Sequence, residues 1–451
     1  MNILFIHQNF PGQYLHLVCH VRSQGGHNIA GLGETQNIRN RGTLAGITTI
    51  GYPQPQGAGE RTHHYLAGTE AAVRRGQAVV RALLDLKKKG FTPDLVSLHP
   101  GWGEGLFVRD LFPKVPILMY CEYYFRARGA DLGFDPEFPS ARDAEFSIRV
   151  RNSAQLVSLT SANACISPTT WQASRYPDML RERMRIIHDG IDTNFMCPDA
   201  EERLSLQPMQ TPGESRVQGF PERLPPGARG LEKVRKSDST SRGDAISLGR
   251  GDKVLTYVAR NLEPYRGFHI FMRSLPEIQR RHPDAQIMIV GRDGVSYSPR
   301  PEDGRTYKEQ YLEELDGKID LSRVHFLGRI PYPALRALFR ISSAHVYLTY
   351  PFVLSWSALE AMSCGALLVA SDTDPVREVM QHEKNALLTD FFDHQALAES
   401  VDRALSEPRA FDALRRNARE TVVDGYSLEK CLPKQYSLLM DLAAGVYPVP
   451  W

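Results

Sequence analysis

The chain has 451 residues, of which 42% are hydrophobic and 24% are charged. These values are ordinary for a globular protein of two or three domains and exclude a fibrous repeat or a wholly disordered chain. Basic and acidic residues nearly balance, 54 against 52, and the net charge of +2 gives no reason to expect nucleic acid as a partner.

The first residues predict a cytoplasmic protein. They lack the basic region and the long apolar run of a signal peptide, and no stretch of the sequence approaches about 18 uninterrupted apolar residues. The six cysteines are far apart and form no C-x-x-C pair, which argues against a zinc cage and a disulfide framework. We therefore expect buried thiols, no metal and no other cofactor.

Short apolar runs alternate with helical patterns from the first residue onward. The run at 2–7 predicts a buried strand, and the spacing of apolar residues over 13–24 predicts a helix. Further strands are predicted at 28–31, 95–99, 117–121 and 164–167. Alternation of this kind indicates a parallel sheet covered by helices on both faces, which we assign to an N-terminal Rossmann-like domain over 1–200.

The pattern changes after Pro198. Residues 207–250 are rich in Pro, Gly, Ser and Arg and contain one aromatic residue, Phe220. So little apolar area cannot offset the entropy of ordering the segment, which predicts a flexible insertion or linker. A basic docking segment is the alternative.

A second alternating series follows, with strands predicted at 253–259, 286–291, 324–327, 344–348 and 366–371. We assign it to a second doubly wound domain over 251–427. The segment 428–451 is predicted as a helix and a tail that cross back to the N-terminal domain. Two such domains facing each other leave a cleft at the carboxyl ends of both sheets, where open α/β folds bind ligands.

Two arginines follow the first strand of the second series. Arg260 lies at the predicted carboxyl end of that strand, and Arg266 opens the next helix. Both guanidinium groups can converge on one anion near a helix N-terminus, and a diphosphate fits that geometry. Surface salt bridges are the alternative for two loop arginines.

A further segment resembles a known protein family. The run WSALEAMSCGALLVASD at 356–372, together with the two arginines and HDGIDTNFMCPD at 188–199, resembles glycosyltransferase family 4. The resemblance covers nearly the whole chain except 207–250. It implies the GT-B fold, in which an acceptor-side N-terminal domain and a nucleotide-sugar-binding C-terminal domain, both Rossmann-like, face a central cleft. It also implies sugar transfer from a nucleotide donor, with retention of configuration and without a divalent metal.

The resemblance assigns roles to individual residues of the donor site. Arg260 and Arg266 would neutralise the donor diphosphate as catalytic groups, and the turn at Gly12 would lie against the same phosphates. The carboxylate of Glu360 would accept hydrogen bonds from the ribose.

Backbone amides near Leu354 and Ser355 would donate to the diphosphate. The sequence also departs from the family at two positions. The family pattern has two glutamates separated by seven residues, and Phe352 stands where the first is expected, beside the donor sugar. Glu122 stands where the family often has a histidine after the strand at 117–121, and it is the candidate catalytic group near the reacting sugar. These departures indicate a subgroup of the family.

Three other patterns favour structural roles. Residues 372–374 have the D-x-D form of metal-dependent glycosyltransferases, but the following Pro375 is typical of a helix start. His99 lacks partners at metal-ligand spacing, which favours a core or surface histidine. The glycine-rich connection at 99–104 either lines an acceptor site or forms a tight turn.

The sequence therefore predicts a cytoplasmic, retaining, metal-independent glycosyltransferase. It would move a sugar from a nucleoside-diphosphate sugar to a glycan or lipid-linked acceptor. The family suggests envelope or capsular polysaccharide synthesis, with peripheral contact at the inner face of a membrane. A nucleotide-sugar epimerase and a non-catalytic nucleotide-sugar binding protein are the alternatives. The nucleotide, the sugar and the acceptor cannot be read from the sequence.

Overall fold

The computed structural model describes residues 1–220 and 244–446, which belong to two compact units. Among these residues the first unit contains 1–190 and 428–446, and the second contains 191–220 and 244–427. Within the described ranges, no helix combines the length and the apolar character needed to cross a bilayer.

The first unit is built on a parallel sheet. Its strands are β1 (Asn2–Ile6), β2 (Asn28–Glu34), β3 (Thr48–Tyr52), β4 (Leu95–Leu98), β5 (Ile117–Tyr120), β6 (Ala164–Ser167) and β7 (Met184–Ile186). Its helices up to residue 190 are α1 (Leu15–Gln24), α2 (Thr35–Arg41), α3 (Ala67–Lys88), α4 (Val108–Leu111), α5 (Ala144–Arg151), α6 (Ser153–Leu159), α7 (Thr170–Ser174) and α8 (Asp178–Arg181). The strand order is β3-β2-β1-β4-β5-β6-β7. The order reverses between β1 and β4, and open α/β sheets bind ligands at the carboxyl ends of the strands at such a point.

Alternate side chains of β1 enter the two layers that cover this sheet. Leu4 and Ile6 belong to one buried apolar cluster, and Ile3 and Phe5 belong to the other. A strand buried on both faces reads as a continuous apolar run, which is why its sequence predicted it.

The second unit repeats the same architecture. Its strands are β8 (Arg203–Pro208), β9 (Ser215–Gln218), β10 (Ile246–Gly249), β11 (Val254–Asn261), β12 (Gln286–Arg292), β13 (Val324–Gly328), β14 (Ala344–Tyr347), β15 (Leu368–Ser371) and β16 (Leu387–Thr389). Its helices are α9 (Phe268–Arg281), α10 (Tyr307–Glu314), α11 (Tyr332–Ile341), α12 (Trp356–Ser363), α13 (Asp374–Arg377), α14 (His394–Ser406) and α15 (Asp412–Tyr426). The parallel strands lie in the order β13-β12-β11-β14-β15-β16, which again reverses at the first strand of the series.

The prediction of a flexible linker over 207–250 is wrong at both ends of that segment. β8 pairs antiparallel with β9 and with β10, and the side chains of Leu206 and Leu248 are buried in the second unit's core. The backbone amide of Phe326 on β13 donates to the carbonyl oxygen of Gly213 at 2.6 Å, so the β8–β9 turn lies against the edge of the parallel sheet. A few apolar residues at alternating positions form this sheet, and the average composition of the segment hid them. Residues 221–243 lie outside the described residues.

The last described helix, α16 (Leu428–Ala443), belongs to the first unit. Leu438, Leu439 and Leu442 are buried in the same cluster as Ile3 and Phe5 of β1. The helix therefore supplies part of the core that covers one face of the N-terminal sheet.

Candidate active site

The two arginines of the second unit have different surroundings. Arg260 lies near the carboxyl end of β11 and is exposed, and its side chain makes no hydrogen bond or ion pair with the described residues. Arg266 is half-buried, and its Nη1 donates to Thr349 Oγ1 at 2.7 Å and to the carbonyl oxygen of Val353 at 3.2 Å. One arginine is therefore fixed by the protein, while the other remains available to a ligand.

Gly267 forms the backbone turn that directly follows Arg266. This residue has a φ of 67°, and a Cβ atom there would lie 2.4 Å from the Cβ atom of Leu348. Only glycine fits this left-handed position between the short 3₁₀ helix Pro264–Arg266 and α9.

Aromatic rings surround the guanidinium group of Arg266. Its carbon lies 5.7 Å from the ring centroid of Phe352 and 5.9 Å from that of Tyr297. Phe352 is 5% exposed and packs at 4.7 Å from Tyr297 and at 5.2 Å from Tyr265. The structure therefore places Phe352 in a packed aromatic wall beside the cation.

A buried carboxylate that the sequence analysis missed supports this wall. Oε2 of Glu263 accepts hydrogen bonds from the backbone amides of Ser296, Tyr297 and Ser298 at 2.9 to 3.0 Å. Glu263 is 1% exposed, so its charge is balanced by these amides rather than by water. No local pattern in the sequence connects a glutamate with amides more than thirty residues away.

The predicted phosphate-binding amide of Ser355 already has a partner. It donates to the hydroxyl oxygen of Tyr347 at 2.8 Å, so it would have to leave that acceptor to reach a phosphate. The side chain of Leu354 is buried in the core. The Glu360 carboxylate is 4% exposed, and its Oε1 accepts a hydrogen bond from Tyr332 Oη at 2.9 Å.

The D-x-D segment has a structural role. Asp372 and Asp374 both bind Arg377, at 2.6 and 3.2 Å. Across the described residues, no group of three or more His, Cys, Asp or Glu side chains is arranged to hold a metal ion.

In the first unit, Gly12 lies in the turn that follows β1. Its φ is 49°, and a Cβ atom there would lie 2.6 Å from Cε1 of His7. Glycine is therefore required where the chain folds over the histidine ring. The next residue, Gln13, donates from Nε2 to Oε1 of Glu122 at 2.9 Å.

Glu122 follows β5 and is held on both carboxylate oxygens. His99 Nε2 lies 3.0 Å from the second oxygen, Oε2. His99 Nδ1 accepts from the amide of Gly101 at 3.1 Å, so the neutral ring carries its proton on Nε2 and donates it to Glu122. His99 was expected to be a core or surface histidine, and it is buried, with 4% of its surface exposed. The two residues meet because they follow the neighbouring parallel strands β4 and β5.

His7 and Trp102 complete this cluster. His7 is 2% exposed, its Nδ1 accepts from the amide of Asn9 at 2.8 Å, and its Nε2 has no hydrogen-bond partner within the part of the chain that the structure describes. Burial, with a smaller contribution from His99, holds the pKa of His7 well below its ordinary value, so the ring stays neutral. The indole of Trp102 stacks on His99 with ring centroids 4.4 Å apart.

Comparison with known proteins gives matches in both units. A family model described as glycosyl transferase family 4 group matches residues 25–196, and one described as glycosyl transferases group 1 matches residues 244–421. The chain is a family 4-like glycosyltransferase with the GT-B fold. The predicted fold class and the prediction of an enzyme of the glycosyltransferase class are confirmed.

Curated relatives of this glycosyltransferase match part of the chain. It is 26% identical over 202 residues to an uncharacterized glycosyltransferase of Methanocaldococcus jannaschii, across 44% of this chain and 48% of the relative. It is 28% identical over 183 residues to the D-inositol 3-phosphate glycosyltransferase of Corynebacterium jeikeium, across 40% of this chain and 42% of the relative. The matches thus span about half the length of these relatives.

Solved structures match the fold of the glycosyltransferase over nearly its whole length. Sucrose-phosphate synthase from Thermosynechococcus elongatus superposes with a TM-score of 0.66 at 17% identity, over 99% of this chain and 100% of that one. HepE of Anabaena, solved in complex with UDP and glucose, superposes with a TM-score of 0.60 at 15% identity, over 98% and 100%. At this identity the likeness shows the fold alone.

Proposed function

We propose that this glycosyltransferase moves a sugar from a nucleoside-diphosphate sugar to a hydroxyl group of a glycan or lipid-linked acceptor. The observation that carries the proposal is that the end of β11 and the short helix after it carry an exposed arginine, Arg260, and an arginine fixed by the protein, Arg266. Two such cations suit a diphosphate leaving group. A UDP-sugar is the first donor to test, because HepE was solved with UDP.

The proposed reaction retains the configuration at the anomeric carbon and uses no divalent metal. The bond between that carbon and the phosphate oxygen breaks with its electron pair leaving on the diphosphate, where Arg260 and Arg266 stabilise the growing charge. The acceptor oxygen bonds to the same face of the carbon, and the departing phosphate takes the hydroxyl proton. Glu360 would bind the ribose, and Glu122 would contact the reacting sugar.

The test is incubation of the protein with labelled UDP-, GDP- and ADP-sugars. Slow hydrolysis of one donor supports a transferase, conversion to another sugar would indicate an epimerase, and binding without turnover would indicate a sensor. Repeating the hydrolysis with excess chelator tests the metal requirement. A rate within about twofold of the untreated enzyme is expected, and recovery by Mg²⁺ or Mn²⁺ after a complete loss would contradict the proposal.

We further propose a place in envelope or capsular polysaccharide synthesis at the inner face of a membrane, which the family resemblance supports. Deleting the gene and analysing the surface polysaccharide is the direct measurement.

A further inference from the structure

A buried cluster in the first unit places two carboxylates around one arginine. Glu34 ends β2 and is 5% exposed, and Glu104, in the glycine-rich connection after β4, is 0% exposed. Nη1 of Arg75 on α3 donates to Oε2 of Glu34 at 3.1 Å, and Nε of Arg75 lies 3.8 Å from Oε1 of Glu104. Two acidic side chains therefore share one cation away from water.

The hydroxyl group of Tyr52, at the end of β3, connects Arg75 with Glu104. It accepts a hydrogen bond from Arg75 Nη1 at 3.2 Å and donates one to Glu104 Oε1 at 2.9 Å. The other carboxylate oxygen of Glu104, Oε2, has no hydrogen-bond partner among the described residues. A charged carboxylate with an unpaired oxygen is costly in a buried place, whereas the neutral acid can carry its proton on that oxygen.

The electrostatic surroundings of Glu104 favour its neutral form. Burial is the largest cause, and it raises the pKa of Glu104 above the ordinary 4.5. Arg75, the backbone amide of Glu104, His99 and Tyr52 act in the opposite direction. Arg75 already neutralises Glu34, so the ionisation of Glu104 would leave two negative charges against one positive charge in a buried cluster.

The glycine-rich connection 99–104 lies directly on α3. Gly103 has a φ of 109°, and a Cβ atom there would lie 2.3 Å from the carbonyl oxygen of Ala72 on that helix. Helix α6, which packs beside Gly105, carries no ionisable side chain. The backbone therefore touches α3 at the residue before Glu104, so a charge on Glu104 acts where the connection is held.

We propose that Glu104 is a proton-controlled latch that holds the connection 99–104 against α3. While Glu104 keeps its proton, Arg75 neutralises Glu34 and the connection stays in place. When the proton passes to the solvent, the new negative charge repels Glu34 and loosens the connection. The latch is therefore closed at low pH and loosened as the pH rises.

The connection also carries His99, whose ring contacts the candidate catalytic group Glu122. Loosening the connection would release this contact, so we expect the latch to lower sugar transfer as the pH rises. That consequence rests on the proposed function, whereas the latch can be tested without a donor.

The test compares the unmodified protein with Glu104→Gln, in which the side chain still accepts from Tyr52 but cannot ionise. The stabilising contribution of neutral Glu104 is complete below pH 4.5 and is lost as the pH rises through the raised pKa. At pH 8.5 the variant should unfold about 2 to 4 °C above the unmodified protein. Its backbone amides over 100–106 should exchange hydrogen about fivefold more slowly. At pH 4.5 both differences should largely vanish.

Asp85→Asn removes an exposed carboxylate from the same helix and is the matched control, which should change neither measurement. Lower stability of Glu104→Gln at pH 8.5 would overturn the inference, because the charged carboxylate would then be the group that holds the connection. Equal behaviour of Glu104→Gln and the unmodified protein at both pH values, or the same gain in Asp85→Asn, would also overturn it.

Hydrolysis of a UDP-sugar is followed in the same proteins at pH 6 and pH 8.5. We expect the unmodified protein to lose a larger share of its rate over this range than Glu104→Gln does. If no protein hydrolyses a donor at either pH, the donor proposal fails by itself, because unfolding temperatures and exchange rates do not depend on a donor.

Discussion

The carboxylate of Glu263 accepts a hydrogen bond from the backbone amide of Tyr297 at 3.0 Å, although the two residues lie on different loops. The ring of Tyr297 lies beside the guanidinium group of Arg266. The carboxylate thus connects the loop after β11 with the loop after β12. It fixes one wall around the cation that we propose to bind the donor diphosphate.

We expect Glu263→Gln to lower the free energy of unfolding by roughly 1.5 to 3 kcal/mol, because glutamine keeps one acceptor oxygen but removes the charge that strengthens the buried bonds to the backbone amides. UDP affinity should fall severalfold as the loop loosens. Urea denaturation and calorimetry measure the two effects. Glu302→Gln on the exposed surface is the control. An unfolding free energy equal to that of the unmodified protein would show that the amides do not need the carboxylate.

Replacing Arg260 and replacing Arg266 should have different effects on the stability of the protein. Arg260→Ala is expected to lower donor turnover by on the order of a hundredfold while changing stability by less than about 0.5 kcal/mol, since the side chain is exposed and has no partner among residues 1–220 and 244–446. Arg266→Ala should lower turnover similarly and also cost about 1 to 3 kcal/mol, because it removes the donor to Thr349 and Val353. Arg300→Ala, at an exposed position, should change neither. Normal turnover in Arg260→Ala would contradict the diphosphate assignment.

Glu360 and Tyr332 give a prediction for nucleotide binding. If the carboxylate binds ribose, Glu360→Gln should weaken UDP and UDP-sugar binding alike by roughly 1 to 3 kcal/mol. Tyr332→Phe removes the hydroxyl that donates to Glu360 Oε1 and should weaken both ligands to a smaller extent. Calorimetry with UDP and with its 2′-deoxy and 3′-deoxy analogues is the measurement. Equal losses for UDP and both analogues in Glu360→Gln would rule out contact with the ribose hydroxyls.

His325 should make the second unit sensitive to acid. The ring accepts a hydrogen bond from Ser215 and donates one to Gln286, and burial lowers its pKa to about 4 from the ordinary 6.5. Below pH 6.5 the His325 ring therefore binds a proton in the unfolded chain, while in the folded chain it stays neutral until the pH approaches 4. The contribution of the neutral His325 ring to the free energy of unfolding is fully present above pH 6.5, and it falls by roughly 3 kcal/mol as the pH approaches 4.

Urea denaturation at pH 7 and pH 4.5 measures this loss, and His325→Gln should reduce it. Equal losses in both proteins would assign the acid sensitivity to other groups.

The buried strands of both sheets were predictable because each reads as a short apolar run. β3 was missed because Thr48 and Thr49 make it polar at the sheet edge, and β16 was missed because it contains three residues. Glu122 was singled out because it stands where the resembling family often has a histidine, but its contact with His99 required knowledge of which strands are neighbours. The contacts between Glu263 and the three backbone amides also span many residues of sequence, and only the folded loops bring these groups together.

The helix α16 has a consequence for biosynthesis. Leu438, Leu439 and Leu442 pack in the core over β1, although more than four hundred residues lie between β1 and these leucines in the chain. The strands of the first unit are therefore synthesised long before this helix, which covers part of one face of their sheet. Until residue 443 has been synthesised, the part of that face that α16 covers is exposed to chaperones or to aggregation, while the residues of the second unit from 191 to 427 are already available to fold.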